Sequence, residues 1–285
     1  MAITGPADLH THTRASDGTG DPADNVRLAK EAGLAAVAIT DHDTMAGVDE
    51  AIAEGERIGI IVVPGVEVST VSDGIDIHIL GYYADWRNEE WLKRLRSLRD
   101  VRGLRNEMMV QRLRELGIDI TLDEVFAEAG RDGSGEETVG RPHIAQVLLK
   151  KGCVATMAEA FDRYLGTSGA AYVNPPRATP FQAVDWIREA GGTSVIAHPG
   201  LYGRDQLVEE LIAYGVDGIE VYHSDHTPLD EERYKSIAER SGLIITGGSD
   251  YHGARGGVVF HGPIGGRSVD AAVISRLRRP SDKST

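Results

Sequence analysis

LAAVAITDHDTMAGVDEAIAEGERIGIIVVPGVEVS, residues 34–69, is the most informative stretch of the chain for its architecture. Residues 34–40 are a short apolar run typical of a buried strand, and residues 59–69 repeat that pattern. Between them, residues 47–58 carry apolar side chains at the spacing of an amphipathic helix. A strand, a helix and a second strand in this order predict βα units around a parallel sheet.

The same alternation occurs on both sides of a segment that has helical spacing alone. Further strands are predicted at 7–10, 76–82, 193–199, 216–223 and 243–252. Between residues 87 and 175 we find no strand-like run of any length before Ala171. We therefore predict an α/β domain built from 1–86 and 176–285, with a small α-helical domain, 87–175, inserted into it as the part that binds substrate.

Composition and charge limit the classes of partner. The 285 residues carry a net charge of −14, so electrostatic binding of duplex DNA is not expected. A small phosphorylated molecule or a short oligonucleotide remains compatible, because bound divalent cations can invert the field inside a pocket. We find no signal peptide and no apolar stretch long enough to span a membrane. The single cysteine, Cys153, permits no intramolecular disulfide, and we expect a soluble cytoplasmic protein.

Histidines and acids collect where the predicted strands end. His10, His12, His42, His198, His223 and His252 follow or close a strand, and His78 lies within one. Acidic neighbours are Asp17, Asp41, Asp43, Glu67 and Asp250. Since the carboxyl ends of barrel strands face one shared bowl, these side chains should converge there. Mixed imidazole and carboxylate ligands favour Mn²⁺, Fe²⁺ or Zn²⁺ over Mg²⁺ or Ca²⁺, so the pattern predicts a metal centre.

These motifs, in chain order, resemble the polymerase and histidinol phosphatase (PHP) family. They are DLHTHT (8–13), TDHD (40–43), GVE (65–67), IDIHILGY (75–82), AHPG (197–200) and GSDYH (248–252). The resemblance implies a distorted seven-stranded β/α barrel with three metal ions. It implies a first ion at His10, His12, Glu67 and Asp250, a second at Glu67, His78 and His198, and a third at Asp17, His42 and His252.

The family often has histidine where this chain has Asp17. An oxygen ligand there should weaken the preference of the third position for zinc. Mn²⁺ is the ion we expect first, with Fe²⁺ or Zn²⁺ as alternatives.

The helical segment resembles the PHP subgroup that acts on nucleotides. The similar stretches are GRPHIAQVL (140–148), YLG (164–166) and AYV (171–173). Members of that subgroup remove the 3′-phosphate of nucleoside 3′,5′-bisphosphates or degrade short RNA from its 5′ end. The resemblance implies that Arg141 and His143 reach the substrate phosphate, and the planar fork of arginine suits that role. Alternatively, Arg141 pairs with an acid or caps a helix. His223 is a candidate for a second phosphate contact.

The expected reaction is metal-dependent hydrolysis of a phosphomonoester by a hydroxide that bridges two ions. His10, His12, Glu67 and Asp250 would hold that hydroxide in place. The alternatives are a 5′-3′ exoribonuclease on short RNA, a histidinol-phosphate phosphatase and a non-catalytic PHP module stabilised by metals. The helical insert argues against histidinol phosphate as the substrate. The complete set of nine ligand positions argues against a non-catalytic module.

Several further polar residues can be explained by a structural role without any part in catalysis. Asp41 and Asp43 either orient His42 or cap the helix that follows, and we expect Asp43 to be a helix N-cap. His226 is expected to be a structural or rim residue, His261 a surface residue, and Cys153 a structural or exposed thiol. The insert is expected to act as a lid with an aromatic side chain on the base.

Overall fold

The computed structural model describes residues 3–130, 139–255 and 257–279. The chain begins with β1 (Pro6–Asp8), α1 (Pro22–Glu31), β2 (Ala36–Ile39), α2 (Val48–Ile58), β3 (Ile61–Ser72) and β4 (Ile75–Tyr82). The helices α3 (Glu89–Glu115), α4 (Leu122–Glu128), α5 (Arg141–Lys150) and α6 (Met157–Ala160) follow, and a π-helical turn, Phe161–Leu165, continues α6.

The chain then alternates again between helix and strand. It contains α7 (Pro180–Glu189), β5 (Thr193–Ile196), α8 (Asp205–Tyr214), β6 (Gly218–His223), α9 (Pro228–Ser241) and β7 (Ile244–Gly248). The last elements are β8 (Ala254–Arg255), β9 (Val258–Val259), β10 (Val269–Asp270) and α10 (Ile274–Leu277). The predicted helices and strands therefore lie close to their observed positions.

Eight strands form one sheet in the order β10-β1-β2-β3-β4-β5-β6-β7. The sheet curls into a nearly closed barrel, because the Leu9 amide after β1 donates to the Gly247 carbonyl in β7 at 3.1 Å. Strands β1 to β7 correspond to the seven predicted strands, and the two-residue β10 adds an eighth, antiparallel to β1. The predicted class, an α/β barrel with a helical insertion, is confirmed.

The prediction of an all-parallel sheet is wrong for β4, which runs antiparallel to both β3 and β5. The cause is a two-residue turn at Asp73 and Gly74, which lies between the paired residues Ser72 and Ile75. Both turn residues have positive φ, 48° and 81°. Asp-Gly is a favoured pair for such turns, because they fit the twist of antiparallel strands. The hairpin brings His78 on β4 beside the end of β5.

The long helix α3 contributes to two hydrophobic cores. Its first half places Trp91, Leu95 and Leu98 in the barrel core. Its second half places Met109 and Leu113 in a separate core shared with α4, α5 and α6, against which the half-buried Cys153 packs. Helix α3 thus runs from the barrel into the helical segment. The division into a domain of residues 1–86 and 176–285 and an inserted domain of residues 87–175 stays a prediction. In the described part of the chain, no helix has the length and apolarity needed to cross a membrane.

Candidate active site

The histidines and acids of the predicted metal centre converge at one end of the barrel. His10 and His12 follow β1, and His42 follows β2 and forms an isolated parallel bridge with Glu67 on β3. The end of β7 lies against His10 so closely that a Cβ on Gly248 would come within 2.4 Å of the His10 backbone nitrogen. Only glycine permits this approach, and it brings the following Asp250 to the same place.

The first group of side chains consists of His10, His12, Glu67 and Asp250, all buried, with ligand atoms within 4.8 Å of one another. The Nε2 atom of His10 lies 3.4 Å from Glu67 Oε2 and 3.3 Å from Asp250 Oδ1. The Nε2 atom of His12 lies 3.2 Å and 3.1 Å from the same two oxygens. The structure therefore brings together the four residues that the PHP resemblance implied for the first ion.

The second group forms around the other oxygen of Glu67. Its Oε1 lies 2.7 Å from His78 Nδ1 and 2.9 Å from His198 Nε2. His42 also approaches this carboxylate, with Nδ1 at 3.1 Å from Oε2. One glutamate thus stands between two groups of histidines, in the arrangement of a bridging ligand.

The third group surrounds Asp17. The nearest rings are those of His252, with Nε2 at 3.2 Å from Asp17 Oδ1, and of His42, with Nε2 at 3.8 Å from Oδ2. His12 joins them through Nδ1, at 3.6 Å from Asp17 Oδ1. Asp17, His42 and His252 are the residues implied for the third ion, and His12 is an additional neighbour.

The donor atoms of these groups fit divalent ions better than they fit one another. Five buried donor or acceptor atoms make no hydrogen bond with any described residue: His10 Nε2, His12 Nε2, His42 Nδ1, His78 Nδ1 and Asp250 Oδ1. A buried polar atom without a partner is costly in a protein interior. An ion with bonds of about 2.0–2.2 Å would satisfy several such atoms at once.

The pKa values show how strongly these groups interact. Burial alone would lower the pKa of His12, but the Asp250 and Glu67 carboxylates, 3.1 Å and 3.2 Å from its Nε2, outweigh it and raise that pKa to about 10. Burial would raise the pKa of Glu67, yet the charges of His78 and His42 hold it well below its usual range. Protons on His10 and His12, whose pKa values are both raised, thus take the place of metal cations, and metal binding has to release them. Burial instead lowers the pKa of His42 and His198.

Glu220 on β6 is a buried residue of the site that sequence reasoning did not single out. His10 Nδ1 lies 3.0 Å from Glu220 Oε1, which leaves His10 Nε2 directed at the first group. The backbone amide of His198 donates to Glu220 Oε2 at 2.8 Å. One carboxylate therefore orients residues of two groups, as carboxylates behind metal-bound histidines do. An acid within the apolar run 216–223 was the available signal.

Three side chains hold the turn that carries His198. Its backbone has a positive φ of 25°, which is strained for a residue with a side chain, and it leads into a 3₁₀ turn, Pro199–Leu201. His226 accepts from the Gly200 amide at 3.1 Å, and Tyr234 donates to the Pro199 carbonyl at 3.2 Å. Tyr202 packs edge-on against the His198 ring and accepts from the His78 amide at 2.9 Å. His226 is therefore structural, as predicted.

Asp43 is not a helix N-cap, so that prediction is wrong. Residues 44–47 separate it from α2, whose N-cap is Gly47. The backbone of Asp43 has a left-handed φ of 56°. Its carboxylate accepts a hydrogen bond from the Ser69 amide at 2.7 Å and forms an ion pair with Arg102 at 2.9 Å.

Asp41 shapes the loop around His12. It accepts from the amide and hydroxyl of Thr13, each at 2.7 Å, and from the Ser16 hydroxyl at 2.6 Å. Neither Asp41 nor Asp43 makes a hydrogen bond to the His42 ring that we observe within the described residues, so the orienting role proposed for them is not supported.

A cavity of about 510 Å³ opens over the metal groups. Its lining comprises residues of the metal groups, three arginines and an apolar set. The metal-group members are Asp17, His42, Glu67, His78, His198, Asp250 and His252, the arginines are Arg102, Arg105 and Arg141, and the apolar members are Pro142, Met157, Ala158, Phe161, Leu201 and Phe260. Ser69, Asp162 and His261 complete the lining.

The arginine group, which we define as Arg102, Arg105, Arg141 and Arg177, carries more charge than its acids balance. Arg102 pairs with Asp43. Arg141 Nη2 lies 2.7 Å from Asp76 Oδ2, and Arg177 pairs with the same carboxylate. Within the described residues, Asp43 and Asp76 are thus the only acids that form ion pairs with this group.

Arg105 is the member of the group without such a pair. It is 3% exposed, and its Nε has no hydrogen-bond partner in the part of the chain that the structure describes. Burial, followed by the charges of Arg141 and Arg102, lowers its pKa well below the usual arginine value. An anion in the cavity would relieve both the desolvation and the repulsion.

The residues predicted to bind substrate occupy different positions. Arg141 lines the cavity and pairs with Asp76, which was the alternative reading of that residue. His143 is buried and accepts from the Gly140 amide through Nδ1 at 3.0 Å, and His223 is buried with Nε2 at 3.3 Å from Asp250 Oδ2. Neither of these two histidines is part of the cavity lining, and their contact with phosphate stays a prediction.

His261 is exposed, as expected, and it also lines the cavity. Its Nε2 lies 3.6 Å from Asp250 Oδ2, and its Nδ1 pairs with Asp225. The side chain remains partly exposed, so the residue belongs to the rim of the site.

Comparison with known proteins places this geometry in a family. The PHP domain model matches residues 8–204. The chain is 36% identical, over 96% of its length and 99% of the relative, to 3′,5′-nucleoside bisphosphate phosphatase of Chromobacterium violaceum. It is 34% identical to 5′-3′ exoribonuclease Rnm of Escherichia coli over 86% of this chain and 84% of the relative.

A solved structure from Bifidobacterium adolescentis, named as a metal-dependent phosphoesterase, shares 34% identity and superposes with a TM-score of 0.85. It covers 95% of this chain and 94% of the other. These similarities confirm the resemblance that the ordered motifs indicated, and the chain belongs to the PHP family.

Proposed function

We propose that this PHP enzyme removes the 3′-phosphate from nucleoside 3′,5′-bisphosphates and leaves a nucleoside 5′-monophosphate and phosphate. One observation carries the proposal: the same cavity is lined by the metal groups and by arginines that exceed their acids in charge. A substrate with two phosphates can place one on each. A cavity of about 510 Å³ is also of a size that holds one small ligand.

We assign the metal groups to three divalent ions, with Mn²⁺ as the first choice and Fe²⁺ or Zn²⁺ as alternatives. The ligands are His10, His12, Glu67 and Asp250 for the first ion, Glu67, His78 and His198 for the second, and Asp17, His42 and His252 for the third. When bound, the ions acidify water and neutralise charge on the reacting phosphate. Glu67 supports this chemistry by offering one oxygen to each of the first two groups.

The second phosphate, the 5′-phosphate, is assigned to Arg105 and Arg141. Arg105 can donate hydrogen bonds to phosphate without giving up an acidic partner, because it has none among the described residues. Arg141 can share its guanidinium between Asp76 and the phosphate. The two residues would hold the nucleotide so that its 3′-phosphate lies over the metal groups, and proximity of this kind lowers the barrier to hydrolysis.

A 5′-3′ exoribonuclease is the second candidate, because the arginine group could hold the 5′-phosphate of RNA equally well. Asp162 argues for the mononucleotide: it is exposed, lines the cavity and would repel the phosphodiester of a longer chain. The positive arginine group disfavours the ammonium group that histidinol phosphate carries beside its phosphate. The convergence of all nine predicted ligands disfavours a non-catalytic module.

The test compares two substrates with metal-stripped protein to which Mn²⁺ is added back. We expect Mn²⁺-dependent release of phosphate and AMP from adenosine 3′,5′-bisphosphate, with a short 5′-phosphorylated RNA left largely intact. Adenosine 3′-monophosphate, which lacks the second phosphate, should react with a lower kcat/KM. Stepwise release of 5′-mononucleotides from the RNA at a higher rate would favour the exoribonuclease, and inactivity on both substrates would refute the proposal.

A further inference from the structure

We infer that the apolar part of the cavity lining is a nucleobase subsite, an inference that rests on the function proposed above. This apolar rim consists of Pro142, Met157, Ala158, Phe161, Leu201 and Phe260. The first four belong to the helical segment, and the last two belong to the barrel. Their side chains offer neither hydrogen bonds nor charge, so the part of a ligand that they contact should be apolar or a flat aromatic ring.

Leu201 is an exposed apolar side chain in the lining of the cavity. It ends the 3₁₀ turn that starts directly after His198, and it is 48% exposed. An exposed apolar residue at the mouth of a polar cavity is typical of a ligand-binding surface.

Phe161 connects the rim to the proposed phosphate site. Its ring centroid lies 5.9 Å from the guanidinium carbon of Arg141. It is the first residue of the π-helical turn, a rare local structure that often occurs at functional sites. A nucleotide whose 5′-phosphate contacts Arg141 would therefore have an aromatic ring within reach of its base.

The chemistry of the rim specifies the class of ligand. Every nucleobase has a π face, and stacking on an aromatic side chain depends little on the identity of the base. We therefore assign the rim to any purine or pyrimidine, and the site should prefer a nucleotide over a sugar bisphosphate. The four common bases should differ in kcat/KM by less than about tenfold, because stacking rather than hydrogen bonding holds them.

The test uses adenosine 3′,5′-bisphosphate and the base-free ribose 3,5-bisphosphate with the Mn²⁺-loaded protein. Phe161→Ala should raise KM for the adenosine substrate by about tenfold or more, the range expected for one lost stacking contact, with kcat nearly unchanged. KM for the base-free substrate should change much less in this variant, because that substrate loses no stacking contact and Arg141, which packs against Phe161, is still present. Phe161→Trp should keep the low KM, and Phe181→Ala, on α7 and outside the cavity lining, is the matched control.

Two results would overturn the inference while leaving the proposed function intact. One is equal kcat/KM of the wild type for the adenosine and the base-free bisphosphates. The other is an equal loss on both substrates in Phe161→Ala, which would reveal a purely structural role. If the wild type hydrolyses neither compound, the proposed function fails. The rim is then tested by calorimetry with adenosine 5′-monophosphate and ribose 5-phosphate, and equal affinities would refute it.

Discussion

The metal groups and the arginine group line the same cavity but are stabilised in opposite ways. Five histidine rings lie within 3.4 Å of the Glu67 carboxylate. Burial opposes protonation of His10 and His12, but the surrounding carboxylates outweigh it and raise the pKa of both rings. Arg105, in contrast, is buried between like charges. Protons on His10 and His12 therefore balance part of the carboxylate charge of the metal groups without any ligand, whereas the arginine group gains its missing partner only when an anion binds.

The largest expected effect comes from Glu67→Gln. The amide keeps the shape of the side chain but removes the charge shared by the first two groups, so both ions should bind weakly. We expect phosphatase activity to fall on the order of 10³-fold or more, since metal ions supply several kcal/mol of stabilisation to the transition state. Metal content by mass spectrometry and kcat with added Mn²⁺ are the measurements.

Glu54→Gln is the matched control, because Glu54 pairs with Arg27 and Arg57 on α1 and α2, outside the cavity lining. This variant should keep its metal content and activity. A folded Glu67→Gln protein with wild-type metal content would contradict the bridging role of Glu67.

Arg105→Met should separate the arginine group from the metal groups. KM for adenosine 3′,5′-bisphosphate should rise about 10- to 100-fold, the value of a lost charged hydrogen bond, while metal content stays unchanged. The ligand-free protein should become more stable, because a buried charge without an ion pair is removed. Arg240→Met on the exposed face of α9 is the control, and calorimetric unfolding measures stability. A lower Tm for the Arg105 variant would show that this arginine stabilises the fold.

The two groups also differ in how far the sequence alone could predict them. Most candidate metal ligands lie in short motifs at the ends of strands, where histidine is unusual, so residue type and local position indicated a metal centre. The resemblance to the PHP family then selected the nine positions. Arg102 and Arg105 lie on a helix rich in arginine, where such residues normally face solvent. Their burial depends on how α3 packs against the barrel, and that packing is a long-range property. Glu220 was overlooked because its partner, His10, is 210 residues away.

The same distinction between local and long-range information applies to the fold. The helices and strands followed from local spacing. The direction of β4 depends on the Asp73-Gly74 turn, which is also a local signal but is at odds with the parallel pairing that alternating strands and helices predict. Asp43 was misread because acids before a helix are usually caps. The competing partners, Ser69 and Arg102, are distant in sequence.

Glu220→Gln probes whether the metal groups depend on side chains outside the ligand set. The amide would weaken the contact with His10 Nδ1 and the acceptor for the His198 amide. Mn²⁺ affinity should fall about 10- to 100-fold, which is the usual cost of altering a group behind a metal ligand. Titration of metal-stripped protein with Mn²⁺ measures this loss, and saturating Mn²⁺ should restore much of the activity. Failure of high Mn²⁺ to restore activity would assign Glu220 a role other than orienting ligands.

The smallest effect is expected from His226, which acts on the metal groups through the backbone alone. His226→Ala leaves the Gly200 amide without its acceptor and lets the strained turn at His198 relax. Only the second group contains His198, so binding of the second Mn²⁺ should weaken by several-fold, about the value of one neutral hydrogen bond. KM for substrate should stay close to that of the wild type. His226→Gln retains an acceptor for Gly200 and should recover part of the affinity. Equal loss in both variants would point to ring packing against Tyr234 as the function of His226. Recovery in the glutamine variant would show that a single backbone contact, outside the metal groups and the arginine group, sets the position of a metal ligand.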